Sequence, residues 1–376
     1  MDGCLSHMPE EFKVSYFSGT PKLKCSTVVS CILEILSDGY LQKCFGRTYL
    51  LILKEVLRVR KYWGCIKFDH WNELLDLCFM LYEKPPAHLD KATVAEILYW
   101  IVKCGTPQSH LGLRLRKKFP LLVRAFEDSD LGKLPALQAS LLKLAITVSR
   151  QLAKESRMAT CKFGEDITKY VIHLYEHRLE DRYDKKGLMF DFLLLQMHLH
   201  HPHGTREGDG AAYAYSWEKW RCQLRSIYGL VDTEMHNIQR NRCKVQVLKE
   251  NFLRLAVEVC KQVYEDGSSV LDMTNERTIN ESVSYSVPKR RRVIGGIEAI
   301  IEILSTPGKT QDIWPWLSLM SSLFSKYPNI LKEQDFIPLL RVIADLQSTC
   351  KDSIVMGCLC QCTVSSRSTS VGKTVI

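Results

Sequence analysis

The residues best suited to chemistry in this 376-residue chain are histidines and cysteines. His173-Leu174-Tyr175-Glu176-His177 has the form H-x-x-E-H. On a helix, His173 and His177 share a face and could hold zinc, with Glu176 as general base. A third ligand is not specified, and the bland reading is a solvated helix end running through Arg178, Glu180, Asp181 and Arg182. That reading is preferred, because short motifs recur by accident in long helical proteins. His198, His200, His201 and His203 crowd around Pro202. A Pro-Gly loop offers no preorganised ligand geometry, so these are expected to be loop histidines. Cys358, Cys360 and Cys362 form C-x-C-x-C. Three thiols with no fourth ligand nearby do not close a tetrahedral zinc site. We expect no metal site and no catalytic residue in this chain.

Nucleotide chemistry has no better support. Gly372-Lys373-Thr374 and Gly308-Lys309-Thr310 imitate the end of a phosphate-binding loop, but Arg367 and Ile303 stand where the earlier glycine belongs. The remaining signal is charge. Lys and Arg total 51 against 42 Asp and Glu, a net +9. Lys289-Arg290-Arg291-Arg292 follows Pro288 in a polar stretch, where four adjacent cations can lie extended in an acidic importin groove. Arg114, Arg116, Lys117 and Lys118 form a second group suited to an acidic partner or nucleic acid. Arg58, Arg60, Lys61 and Lys67 form a third, and Arg240, Arg242, Lys244 and Lys249 a fourth. Solvated faces remain the default for all of these groups, and nothing supports base-specific readout.

The elements that must carry these residues are helical. Leu137, Leu141, Leu144, Ala145, Val148 and Leu152 recur in steps of three and four. So do Val245, Leu248, Phe252, Leu255, Ala256, Val259 and Val263, with Lys249, Arg254, Glu258 and Lys261 expected on the opposite, charged face. Pro85-Pro86, Gly105-Thr106-Pro107, Pro120, Pro135, Gly164, Gly187, Pro202, Pro307 and Pro328 punctuate the pattern. Helices of about 12–20 residues joined by short loops suit antiparallel pairs, so the fold class is all-α, a HEAT-like α-solenoid. Apolar residues at 46% and charged residues at 25% exclude wholesale disorder. Fifteen cysteines, mostly single and among apolar neighbours, read as free thiols packed as small hydrophobes in a reducing compartment. No signal sequence or membrane span is visible, and a soluble intracellular protein is expected.

Several segments resemble one family in collinear order. They are Lys22-Leu23-Lys24-Cys25, Leu57 to Trp63, Trp71, Leu74, Leu81-Tyr82, Lys84-Pro85, His177-Arg178-Leu179 and His200 to Gly204. The order continues with Trp220-Arg221, Lys249-Glu250-Asn251, Tyr285 to Arg292, Trp314-Pro315-Trp316-Leu317 and Ser325 to Pro328. Each motif is modest, and together they are specific. Between about Pro21 and Cys362 the chain is similar to the N-terminal region of the ataxia-telangiectasia mutated kinases, a branch of the phosphatidylinositol-3-kinase-related kinases.

That resemblance implies a helical array that docks partners and substrates, with the serine/threonine kinase domain far downstream and absent here. The family's extreme N-terminal motif would precede Pro21 and is also missing, so a truncated form or fragment is expected. Lys289, Arg290, Arg291 and Arg292 match the family's nuclear-import motif. The resemblance further implies roles in the double-strand-break response, checkpoint signalling and telomere maintenance. It implies a nuclear protein that is also cytoplasmic, with a nibrin-type sensor, kinase substrates and importin as partners. ATP and a divalent metal would belong to the missing kinase domain, and the full-length relative forms a homodimer. Direct DNA contact is the weaker alternative, and the H-x-x-E-H hydrolase weaker still. The expected organisation is a poorly matched start at 1–20, helical solenoid at 21–199, and a loop at 200–216. Solenoid follows at 217–264, a flexible insertion at 265–295, solenoid at 296–362, and a frayed tail at 363–376.

Overall fold

The structure, a computed structural model, describes residues 21–105, 111–127, 134–153, 157–176, 186–201, 210–240, 250–266, 297–305, 313–327, 330, 333–353 and 355–362. These residues are almost wholly helical and contain no strand. They form two compact units, Met1–Phe192 and Leu193–Ile376.

The first unit holds α1 (Pro21–Ser37), α2 (Gly39–Arg58), a 3-10 turn (Arg60–Cys65), α3 (Phe68–Glu83), α4 (Lys91–Gly105), α5 (Leu111–Glu127), α6 (Pro135–Leu152) and α7 (Arg157–Glu176). Each helix packs on the second helix after it. Thus α1, α3, α5 and α7 make one row and α2, α4 and α6 the other. Contacts of α1 with α2, α3 with α4 and α5 with α6 join the rows. This two-row stacking is the arrangement of an α-solenoid, in which each pair buries its apolar face on its neighbours.

Local chemistry sets the ends of these helices. Asp38 accepts from the backbone N–H groups of Tyr40 and Leu41, at 2.9 and 2.8 Å, and starts α2. Asp90 accepts from Ala92 and Thr93 in the same way before α4. Pro135 occupies the first turn of α6, where its missing N–H costs nothing. The six-residue stripe of α6 is buried throughout, from Leu137 to Leu152. At about 1.5–3 kcal/mol for each fully buried Leu or Val, that stripe is a large share of the unit's cohesion.

The second unit contains α9 (Gly210–Arg240), α10 (Glu250–Asp266), α11 (Ile297–Ser305), α12 (Trp314–Lys326) and α13 (Glu333–Thr349). Here α9 packs on α10, α10 on α12, α11 on α12 and α11 on α13. The helix α8 (Gly187–His200) spans the division between the units.

Three expectations about breakers and loops need correction. Pro120 lies inside α5 and Gly164 inside α7, so neither ends a helix. Pro120 is exposed, on the side where the lost backbone bond can be replaced by water. The long helix α9 begins at Gly210, within the stretch expected to be a loop, because Ala211, Ala212 and Ala214 favour helix strongly enough to extend it. His198 and His200 lie in the last turn of α8 and are not loop residues.

Candidate functional site

The cationic group on α5 divides between two directions. Arg114 donates to Asp76 of α3 at 2.8 Å, and Lys118, one turn on, sits 3.4 Å from the other oxygen of the same carboxylate. The Lys118 ammonium also lies 5.7 Å from the centre of the Phe79 ring. Arg116 is half-buried and Lys117 exposed. The spacing i, i+4 turns Arg114 and Lys118 onto α3, so the four cations do not form one outward stripe. Exposed pairs of this kind contribute about 0–1 kcal/mol each, and their main effect is to occupy charge that a phosphate backbone would need. Beside them, a cavity of about 150 Å³ is lined by Phe79, Tyr82, Glu83, Lys91, Leu121, Arg124 and Ala125.

The most developed polar site lies in the second unit and was not anticipated. Glu258 of α10 was expected on a charged face, but it is 1% exposed. Its neighbours explain this: α9 and α12 both pack on α10, so solvent reaches little of the helix. Donors surround the Glu258 carboxylate. The Tyr327 hydroxyl donates to it at 2.6 Å and the Gln262 amide at 2.9 Å. His198 Nε2 is 3.7 Å away and Lys261 Nζ 3.9 Å away. Burial alone would raise the carboxyl. The bonds from Tyr327 and Gln262, with the His198 and Lys261 charges, outweigh it and hold the group below the usual carboxylate range.

Gln262 is fully buried and carries the network onward. Its Oε1 accepts from the Trp220 indole at 2.6 Å, tying α10 to α9. Trp220 in turn meets the His201 ring edge-on at 5.3 Å, and His201 Nε2 lies 3.7 Å from Glu265. The end of α8, the middle of α9, α10 and the end of α12 are therefore joined by one chain of polar contacts. It is a positioning network, and its members fix helix register.

Converting Tyr327 to Phe should test this. It removes one donor from a buried carboxylate and should cost about 1.5–3 kcal/mol at pH 7. Because the folded Glu258 sits below its unfolded value of 4.5, its stabilisation is present above that pH and fades as pH falls through the lower folded value. The penalty of the Phe variant should shrink over the same acidic window, as read by urea unfolding.

The metal-like motifs are only partly within the described residues. His173 and Glu176 are both exposed on α7, and His177 lies outside the described residues. His198 Nδ1 donates to the Leu194 carbonyl at 2.8 Å, and His200 Nδ1 to the Gln196 carbonyl at 2.9 Å. His203 lies outside the described residues. Among the described residues, no group of three His, Cys, Asp or Glu side chains could hold a metal ion. Cys362 is buried with its thiol directed at the Leu317 carbonyl, while Cys360 is exposed. Burial pushes the thiols of Cys78, Cys104, Cys260 and Cys362 up to about 12, so none is a thiolate near neutral pH. Lys289, Arg290, Arg291 and Arg292 also lie outside the described residues. No described helix is long and apolar enough to cross a membrane.

Comparison with known proteins fits this helical picture. The chain is similar to the serine-protein kinase ATM of Sus scrofa, 28% identical over 338 residues. The aligned part is 87% of this chain and 11% of that kinase, so the chain spans about a tenth of the length of the curated relative it matches. The resemblance read from the short motifs is thus carried by the alignment as a whole. No family model matches the chain. No solved structure matches it either.

Proposed function

We propose that this chain is the docking segment of an ATM-like serine/threonine kinase and acts by binding proteins rather than by catalysis. The observation that carries the reading is the alignment over 87% of the chain, which ends far short of the relative's full length. The stacked helix pairs support it, since such arrays present long ridges on which partners lie. The partners proposed are a nibrin-type break sensor and kinase substrates, and the setting is the response to DNA double-strand breaks, with checkpoint signalling and telomere maintenance downstream. ATP, a divalent metal and homodimer formation would belong to the full-length kinase. Sequencing the transcript tests the kinase part of this reading. An open frame running from Cys362 into a phosphatidylinositol-3-kinase-type domain is expected, and a transcript that stops at Ile376 would remove it.

Nuclear import through Lys289, Arg290, Arg291 and Arg292, captured by importin, belongs to the same proposal. Replacing the four with alanine should move most of a tagged chain from nucleus to cytoplasm, scored by imaging. Unchanged nuclear accumulation would sink the import role. A direct DNA-binding role is the second reading, and it rests on the net charge of +9. The ion pairs of Arg114 and Lys118 with Asp76 weigh against it.

A further inference from the structure

The turn between α2 and α3 carries features that its role as a connector does not require. Its back is pinned. The Trp63 indole donates to the Leu57 carbonyl at 2.7 Å, and the Cys104 thiol of α4 approaches the same oxygen at 3.7 Å. Tyr62 N–H donates to the Val59 carbonyl at 3.0 Å, Ile66 N–H to the Trp63 carbonyl at 3.3 Å, and Ile66 is buried. The 3-10 turn also packs on α1, α2 and α4. Other side chains of the segment, by contrast, face solvent. Arg60, Lys61 and Lys67 are exposed, and Lys61 lies 5.0 Å over the Tyr62 ring. Arg58 is taken up by Glu55 at 3.0 Å, but Arg60 and Lys67 have no carboxylate within ion-pair distance among the described residues. Flanking the cations in sequence stand two exposed apolar side chains: Val59, 37% exposed, and Phe68, 48% exposed.

We propose that this ridge, Val59 to Phe68, is a docking surface for a short acidic peptide segment bearing one aromatic or large aliphatic anchor. Charge complementarity selects the occupant: Arg60, Lys61 and Lys67 meet its carboxylates, while Phe68 and Val59 cover its anchor. The pinned backbone lowers the ordering cost that a flexible basic loop would carry. The neighbouring surface sets the length. Directly after Phe68, the exposed side of α3 presents Asp69 and Glu73, which repel a long polyanion laid along the first turns of the helix, while Asp76 further on is taken up by Arg114 and Lys118. A nucleic-acid track is therefore disfavoured, and a peptide with a few acidic residues fits. This assignment rests on the docking role proposed above and gives it a location and a chemistry.

Fluorescence anisotropy with the whole chain tests it, using a labelled peptide of Glu and Asp around a single Phe, and the same peptide with Phe replaced by Ala. Saturable binding of the Phe peptide is expected. The triple variant R60E/K61E/K67E should weaken it by about tenfold or more, and Phe68→Ser by about fivefold for the Phe peptide but not for the Ala peptide. Lys143→Glu, a charge change on the exposed side of α6, should leave both unchanged. Unchanged thermal unfolding of the variants shows that only the surface was altered. Equal affinity of all variants, or no binding by the parent chain, overturns the proposal. So does duplex DNA that displaces the peptide and is itself lost in the triple variant, because the surface would then be a nucleic-acid site. If a nibrin-type sensor binds the parent and the triple variant equally, the ridge assignment falls while the docking role stands. If the peptide binds at the ridge and the sensor does not bind at all, the sensor assignment falls instead.

Discussion

Placing proline at Leu255 should abolish the cooperative unfolding transition of the Leu193–Ile376 unit. Leu255 is fully buried near the middle of α10, the helix that contacts both α9 and α12. Proline deletes a backbone hydrogen bond and clashes with the preceding turn, at about 3 kcal/mol or more. Loss of the leucine side chain from a packed core adds about 2–5 kcal/mol. The sum is comparable to the whole stability of an ordinary domain, about 5–15 kcal/mol. The Glu258 network should go with it, because Glu258 and Gln262 lie on the turns of α10 that follow. Circular dichroism across a urea series measures the outcome, and an unchanged transition would contradict both the helix and its central place.

Glu234 should give the second large effect, and one with a pH signature. On α9 the buried positions Trp220, Leu224, Ile227, Val231 and Ile238 follow helical spacing, and Glu234 falls on the same stripe, fully buried. Burial pushes its carboxyl from 4.5 up to about 7, and a hydrogen bond with Asn237 offsets only part of this. The folded state therefore holds a proton that the unfolded chain releases above pH 4.5. Stability should fall as pH rises from about 4.5 through about 7 and level off beyond, by on the order of 3 kcal/mol for this group. Glu234→Gln removes the titration. It should be close to neutral at pH 4.5 and stabilising by on the order of 3 kcal/mol at pH 8, read by urea unfolding at both values. An equal effect at both pH values would show that Glu234 is not a buried acid.

The fold was legible because the signals that specify it are local and repeated. The α6 stripe from Leu137 to Leu152 is buried as its spacing requires, and so is the α10 stripe from Phe252 to Val263. The family resemblance was legible for the same reason. Trp71, Leu74, Trp220, Trp316 and Leu317, which carry much of it, are core residues at 1% exposure or less. They report packing, and so they leave the partner surface unmarked.

What escaped was the set of residues whose neighbours come from other helices. Glu258 looked solvated because Arg254 and Lys261, about one turn away on either side, are charged, and only the approach of α9 and α12 buries it. Tyr327 lies 69 positions away from the carboxylate it serves, beyond the reach of periodicity. Glu234 could have been found, since an acid on an apolar stripe is a local anomaly. Pro120 misled because proline was read as a stop, although an exposed helix face tolerates it. His198 and His200 misled because the nearby Pro202 and Gly204 read as a loop, whereas both close the last turn of α8.

Titration of the whole chain against a recombinant nibrin-type sensor, with a duplex DNA control and a salt series, tests the docking role most directly. Protein docking on the helical array requires saturable sensor binding with modest salt dependence, and duplex DNA held far more weakly. Tight DNA binding that falls steeply with salt, with no affinity for the sensor, would contradict it and establish a nucleic-acid-binding array in its place.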